Sequence, residues 1–289
     1  MAAVAVIGTG RMGAAMVGRL TAAGHEVVVY NRTRQRAQEV AARTGASVAD
    51  TAAAAAAAAD TVLVSLADDP AVRATYSGDD GIVAGLRAGA RVLEMSTVAP
   101  GTVRELEPMV TAAGAGLLDA PVSGSVSVVE RGELTVLVGG DPDALAQARS
   151  VLDAFARQVF HLGPVGAGAT VKLAVNSIVH ALNQAVAEAL VLAEKAGVDR
   201  AAAYQVFANS AAGAPFVKYK EESFLHPESA PVAFSLALVA KDLDLIQALA
   251  QQVGARMDLT SASRAVVQEA VATGLGEKDL SAVAELLRR

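Results

Sequence analysis

The first half of the chain alternates short apolar runs with segments that read as helices. "AVAVI" (3–7), "EVVVY" (26–30), "TVLVSL" (61–66) and "RVLEM" (91–95) are apolar at successive positions rather than at every second one. Strands buried on both faces of a parallel sheet have that pattern. The segments between them, near 12–23, 34–43, 69–75 and 100–113, are expected to be helical, and strand–helix–strand repeated in this way is the grammar of βαβ units. The low-complexity run "TAAAAAAAAD" (51–60) is expected to be a helix, capped by Asp50 or Thr51, because alanine is the best helix former. Further strand candidates are "GLLDA" (116–120), "ELTVLVG" (133–139) and "RQVFHL" (157–162).

After "LGPVGAGAT" (162–170) no clear strand run appears. A long apolar helix is expected from Ala167 to about Ala196, ending at Gly197, with further helices near 199–209, 234–253, 258–273 and 279–288. Clustered Gly and Pro place the domain boundary at Gly163–Gly166. The expected fold is therefore an α/β Rossmann-type nucleotide-binding domain (1–163) followed by an all-α domain (164–289) for substrate binding and dimerisation. The long helix is apolar almost all round and is expected to be buried on every side. That burial implies a subunit partner, in a homodimer or homotetramer built through the helical domain.

Composition narrows the function. The 289 residues are 53% hydrophobic with a formal charge of −6, which suits a protein acting on small molecules and argues against nucleic acid as a partner. With no cysteine there is no disulfide, thiolate metal site or Cys nucleophile, as fits a cytoplasmic protein. "MAAVAVIG" lacks a basic leader region and reads as a first strand. The charge-free run Leu173–Ala187 carries Asn176, His180, Asn183 and Gln184 and is too short and polar for a membrane span, so no membrane partner is expected. The four histidines lack metal-ligand spacing, so no metal is expected.

"GTGRMG" sets Gly8, Gly10 and Gly13 in the G-x-G-x-x-G pattern, after a strand and at the opening of a helix. In that context the loop, Gly8, Thr9, Gly10, Arg11, Met12 and Gly13, reads as a pyrophosphate cradle, with an ordinary βα turn as the alternative. At the end of the second strand, where NAD binders place an acid for the ribose 2′-OH, the chain has Asn31, followed by Arg32, Thr33, Arg34 and Arg36. An uncharged side chain followed by arginines suits the 2′-phosphate of NADP. The alternative is a solvated basic helix start, although the helix dipole favours acids there.

Lys172 stands among alanines, valines and leucines in "GAGATVKLAVN" (166–176). Asn176 is one helical turn later on the same face, and Asn183 returns to within about 20° of Lys172. A lone lysine at a helix start is more often a snorkelling surface residue. With an asparagine one turn on, just past a nucleotide domain, it reads as a site.

Four blocks in order, "VIGTGRMGAAM" (6–16), "DAPVSGS" (119–125), "GAGATVKLAVN" (166–176) and "KDLDL" (241–245), give the whole chain a resemblance to the β-hydroxyacid dehydrogenases. These include 3-hydroxyisobutyrate dehydrogenase, tartronate semialdehyde reductase and glyoxylate/succinic semialdehyde reductase. The resemblance implies Lys172 as the catalytic lysine. It implies that Asn176 and the turn Ser123, Gly124 and Ser125 contact the substrate. Thr97 would lie by the nicotinamide, Lys241 would contact the cofactor with Asp242 in support, and Leu66 and Ala67 would cover the pyrophosphate side. Many members have glycine where Ser125 stands; the glyoxylate/succinic semialdehyde reductase branch has serine, and also a phenylalanine where Phe234 falls, so the resemblance implies that Phe234 too contacts the substrate. NAD-using members often have asparagine where this chain has Ala71.

The implied activity is NADP-dependent hydride transfer between a small carboxylate-bearing aldehyde or ketone and its hydroxy acid. Lys172 would be the general acid and base, its apolar setting favouring the uncharged amine. The alternatives are an imine reductase of the same architecture, which usually has another residue at the Lys172 position, and a non-catalytic NADP-binding sensor.

Overall fold

The run Ala3–Ile7 forms β1 at the centre of a nine-stranded sheet, flanked by β2 (Glu26–Tyr30) and β4 (Thr61–Val64). With β3 (Ser47–Val48), β5 (Arg91–Glu94) and β6 (Gly116–Asp119), the order is β3-β2-β1-β4-β5-β6, all parallel. Successive side chains go to opposite faces. Val4 and Val6 join a core that includes Val29 and Leu93, while Ala5 and Ile7 join another that includes Val62 and Val92. Both faces are covered, which is why these strands are apolar throughout. Beyond β6 the sheet is mixed. β8 (Leu134–Gly140) runs antiparallel to β6 and to β7 (Val122–Ser123), and parallel to β9 (Ala156–His161). Apolar composition marks a strand but carries no direction.

The structure, a computed structural model, describes all 289 residues, in two units, Met1–Lys172 and Leu173–Arg289. In the first unit the helices are α1 (Arg11–Ala22), α2 (Arg34–Thr44), α3 (Ala52–Ala57), α4 (Asp69–Tyr76), α5 (Ile82–Gly85), α6 (Pro100–Ala112), α7 (Val126–Glu130) and α8 (Pro142–Leu152). The alanine run is helical, and Thr51 caps it by accepting from the Ala54 N–H at 3.0 Å. The helix α8 is not apparent from periodicity, though its start is written in the sequence: Asp141 accepts from two backbone N–H groups and Pro142 opens the first turn.

The helix α9 (Ala167–Lys195) is 29 residues long and crosses from the first unit into the second. The second unit continues with α10 (Arg200–Asn209), α11 (Pro215–Tyr219), α12 (Glu221–Leu225), α13 (Leu236–Val253), α14 (Asp258–Ala270) and α15 (Val283–Arg288). α11 and α12 are too short to show a period. The helix expected to reach residue 273 gives way at Val271 to a wider π-helical turn, in which Gly274 has φ +89°.

By length and hydropathy α9 qualifies as a membrane span, yet it is the core helix of this unit. Leu173, Ala187 and Leu190 are buried in the same cluster as Tyr204, Leu243 and Val283. It is not buried on every side, however: Ile178 is 63% exposed and Leu192 72%. A ring of apolar residues shows which positions tolerate burial, not which ones this chain covers by itself.

Candidate active site

In the sheet unit, the expected cofactor positions gather where the parallel strands end: Gly8–Gly13 after β1, Asn31 after β2, Leu66 and Ala67 after β4, and Thr97 after β5. The strand order reverses between β1 and β4, and ligands of open α/β sheets bind at such a switch point. The three glycines of the loop have different causes. A methyl group on Gly8 would stand 2.1 Å from the Ser65 carbonyl oxygen at φ +98°, and one on Gly13 would stand 2.0 Å from the Gly8 carbonyl oxygen. Both are required by packing between β1, β4 and α1. A methyl on Gly10 would meet no atom within 4 Å, at an ordinary φ of −68°. Nothing in the protein requires glycine there, so the open space suits a ligand that approaches the backbone. Beside it the buried Thr9 hydroxyl has no hydrogen-bond partner. The loop thus fits a dinucleotide pyrophosphate at the start of α1.

Asn31 ties the loop to the end of β2. Its Oδ1 accepts from the Thr9 N–H at 3.1 Å, and its Nδ2 donates to the Thr33 carbonyl at 3.0 Å. Arg32, Thr33 and Arg36 are exposed, whereas Arg34 is engaged by Asp50.

The neighbouring loops rest on a buried acid that sequence reading missed. Glu94, at the end of β5, accepts from the Ser96 N–H at 2.9 Å and from the Tyr76 hydroxyl at 3.0 Å, and Ser96 Oγ accepts from the Leu66 N–H at 2.8 Å. One carboxyl therefore fixes the segments that carry Leu66 and Thr97. Burial pushes it up to about 7, against the Ser96 and Tyr76 hydrogen bonds, which favour the charged form. Its sequence signal is weak: a single acid at the end of an apolar strand.

Lys172 is half-buried rather than enclosed. It sits in the second turn of α9, and the start of that helix is held at the same strand-end edge of the sheet. Asp119, fully buried at the end of β6, accepts from the Gly166 N–H at 2.9 Å and the Ala169 N–H at 2.7 Å. Burial pushes the Asp119 carboxyl up, while the two N–H groups pull the other way. Methyl groups on Gly139 or Gly168 would collide with this junction, at 2.3 Å from an Asp119 oxygen and from the Leu137 carbonyl respectively. In "PVSGS", read as a turn, Ser123 pairs with Thr135 in β7–β8, Gly124 has φ +138°, and Ser125 starts α7.

In the helical unit, the remaining expected residues meet around Asp242. This carboxylate, fully buried on α13, accepts from Asn176 Nδ2 at 2.6 Å, pairs with Lys241 Nζ at 2.9 Å and faces His180 Nε2 at 3.5 Å. Burial by itself raises its carboxyl, but His180 and Lys241 outweigh burial and hold it below the ordinary carboxylate value. Phe234 stacks on His180 with ring centroids 6.0 Å apart. The Phe234 segment, which leads into α13, is fixed in turn by Asp279, which accepts from the Ala233 N–H at 2.9 Å and pairs with the buried Lys220 at 2.5 Å. Asn183, grouped with Lys172 by helical phase, instead donates to the Leu280 carbonyl at 2.9 Å and is structural.

The family model described as the NAD binding domain of 6-phosphogluconate dehydrogenase matches residues 3–163, and that of the NAD-binding domain of NADP-dependent 3-hydroxyisobutyrate dehydrogenase matches 166–287. The chain belongs to the β-hydroxyacid dehydrogenase family. It is an NAD(P)-dependent oxidoreductase of the hydroxyacid dehydrogenase type. Over 99% of this chain and 98% of the relative, it is 33% identical to an NAD-dependent L-serine dehydrogenase of Pseudomonas aeruginosa. It is 32% identical to glyoxylate/succinic semialdehyde reductase 1 of Arabidopsis thaliana, over 99% and 98% of the two chains. Among solved structures of the family, Mycobacterium tuberculosis 3-hydroxyisobutyrate dehydrogenase with L-serine matches at a TM-score of 0.87 and 32% identity, over 100% of both chains. An imine reductase from Pseudomonas sp., at 22% identity and a TM-score of 0.67, shares the fold alone.

The glycine analysis separates ligand from packing. Gly10→Ala is expected to keep the wild-type melting temperature and lose roughly tenfold or more in dinucleotide affinity, whereas Gly13→Ala is expected to lose stability itself. Thermal melting and coenzyme titration check this, and a destabilised Gly10→Ala would refute it.

Glu94 makes stability depend on pH. With a folded value of about 7 against an ordinary 4.5, the native state holds a proton that the unfolded chain releases. This contribution is complete below the lower value and is lost as pH rises through the higher one, by on the order of 3 kcal/mol. Glu94→Gln is expected to flatten that part of the profile, as measured by urea unfolding between pH 5 and 8. Equal pH slopes in variant and wild type would contradict it.

Proposed function

We propose that this chain is an NADP-preferring enzyme that interconverts small carboxylate-bearing aldehydes or ketones and their hydroxy acids, with Lys172 as its general acid and base. The observation that carries this reading is the anchoring of the Lys172 helix by Asp119 at the strand-end edge of the sheet, the edge that also carries the glycine loop. When bound, a nicotinamide coenzyme supplies or accepts the hydride. Lys172 Nζ gives a proton to the carbonyl oxygen during reduction and takes it back during oxidation. The backbone N–H groups of Ser123–Ser125 hold the substrate carboxylate, and Asn176, which donates to Asp242, contacts the substrate. The names of the relatives, a serine dehydrogenase and a semialdehyde reductase, support small polar acids as the substrate class. An imine reductase is the second reading, with only a shared fold in its favour. On the same reading, a second copy of the chain covers the exposed Ile178 and Leu192 of α9, giving a homodimer or homotetramer.

Lys172→Met keeps the length and removes the proton. It is expected to lower kcat by roughly 10²–10⁴ with coenzyme affinity little changed. The assay is NADPH absorbance with glyoxylate, succinic semialdehyde and methylmalonate and tartronate semialdehydes, beside uncharged aldehydes and cyclic imines. Near-normal turnover of the variant removes the role given to Lys172, and faster turnover of the imines or uncharged aldehydes removes the substrate class.

Coenzyme choice follows from the loop after β2. Asn31 places no negative charge against a 2′-phosphate, and Arg32 is exposed to meet it. A charge-assisted contact of about 1.5–3 kcal/mol gives an NADPH preference of roughly 10- to 150-fold. Asn31→Asp with Arg32→Ala is expected to reverse the order. The carboxylate introduced by Asn31→Asp still accepts from the Thr9 N–H but loses donation to Thr33, so the single variant Arg32→Ala serves as the control and should only weaken the preference. The readout is kcat/KM with each coenzyme at fixed salt; a wild type that prefers NADH contradicts the assignment.

A further inference from the structure

Where β4 and β5 end, a backbone bond from the Met95 N–H to the Val64 carbonyl, at 2.8 Å, still joins them. Beyond it, side chains take over the pairing. Ser96 Oγ accepts from the Leu66 N–H at 2.8 Å. Three residues further on, where the loops enter α4 and α6, Asp69 Oδ1 accepts from the Ala99 N–H at 3.0 Å. The two bonds are reciprocal: each loop gives one backbone N–H and receives one with a side chain.

Both acceptors are themselves fixed. Ser96 is buried, and the Glu94 carboxylate takes its N–H, at 2.9 Å, together with its hydroxyl. Asp69 Oδ1 also accepts from the hydroxyl of the fully buried Thr102, which in turn accepts from Arg73 Nη2 at 2.8 Å. Polar networks whose members are satisfied hold their geometry. Between the two fastenings lie Ala67, which is exposed, and Thr97, which is half-buried. The family resemblance gives these two positions to the coenzyme, Ala67 with Leu66 on the pyrophosphate side and Thr97 by the nicotinamide.

We propose that Ser96 and Asp69 are positioning residues that lock the loops after β4 and β5 into one clamp on the nicotinamide half of the coenzyme. They act through Leu66, Ala67 and Thr97, and the proposal rests on the coenzyme reading of those three residues. The adenosine half falls to other residues, Asn31 and Arg32, so the clamp bears on one half of the coenzyme only. Because the fastenings stand at the two ends of one short span, release at either end is enough to free it.

The experiment is calorimetric titration of the full-length protein. NADPH is compared with adenosine 2′,5′-bisphosphate, which lacks the nicotinamide half, and NADH with AMP. Ser96→Ala and Asp69→Ala are each expected to weaken the coenzyme that the wild type prefers by roughly 3- to 10-fold, the scale of one hydrogen bond, and to leave its adenosine half within about twofold. The double variant is expected to lose less than the product of the two single losses, as for residues that act as a unit. Asp69→Asn keeps an oxygen that accepts from Ala99 and Thr102 and is expected to bind coenzyme as the wild type does. Four results overturn the clamp and leave the coenzyme reading of the loops in place: equal losses for coenzyme and adenosine half, unchanged affinity in both single variants, a double variant equal to the product, or an Asn variant as weak as the Ala one. A wild type that binds neither coenzyme more tightly than its adenosine half overturns that reading and the clamp together.

Discussion

Two hydrogen bonds to Asp119 settle where Lys172 stands. A helix leaves its first N–H groups without partners, and α9 hands two from its start to a carboxylate at the end of β6. The oxygens are fully buried, so they are strong partners only while the helix start stays in place. Gly139 and Gly168 let backbone and carboxylate approach to distances that no side chain would permit. Lys172, a few residues on, inherits its position from that junction. The glycine loop, Asn31 and the Glu94–Ser96–Leu66 chain are arranged along the same edge of the sheet, each by its own local bonds.

The helical unit solves a similar problem with charge. Asp242 is surrounded by three donor groups, and Asp279 by Lys220 and backbone N–H groups. Such a carboxylate is costly to bury alone and fixes its partners when it is fully satisfied. Asn176, Lys241 and Phe234 are held in this way by residues that touch no ligand in the functional reading given above.

The repeated runs of apolar residues and the glycine pattern were enough to read the parallel half of the sheet, the nucleotide edge and the helical second half. Periodicity reports which side of a segment is buried. It therefore missed what is decided by pairing direction, such as the reversal at β8, and what is too short to have a period, such as α7, α11 and α12. The motif blocks singled out Lys172 and Asn176 as candidates, but Glu94, Asp119 and Lys220 act through partners 18 to 59 residues away, and no spacing rule links Tyr76 to Glu94 or Lys220 to Asp279. Asn183 shows the converse: helical phase grouped it with Lys172, and only the position of Leu280 revealed its structural task.

The central place of β1 has a consequence for synthesis. This strand leaves the ribosome before either neighbour, and it is flanked on one side by β2 and on the other by β4, whose residues 61–64 emerge a full helical crossover and more later. Parallel pairing over such separations forms slowly, because the intervening loop must close before any ladder bond repays it. Until then an apolar segment, Val4–Ile7, has an open edge exposed to other nascent chains. The two-residue β3 at the far side of the sheet presents only a short edge once folding is complete. The vulnerable interval of this protein thus lies between the synthesis of β1 and that of β4, in a strand that the finished sheet covers on both faces.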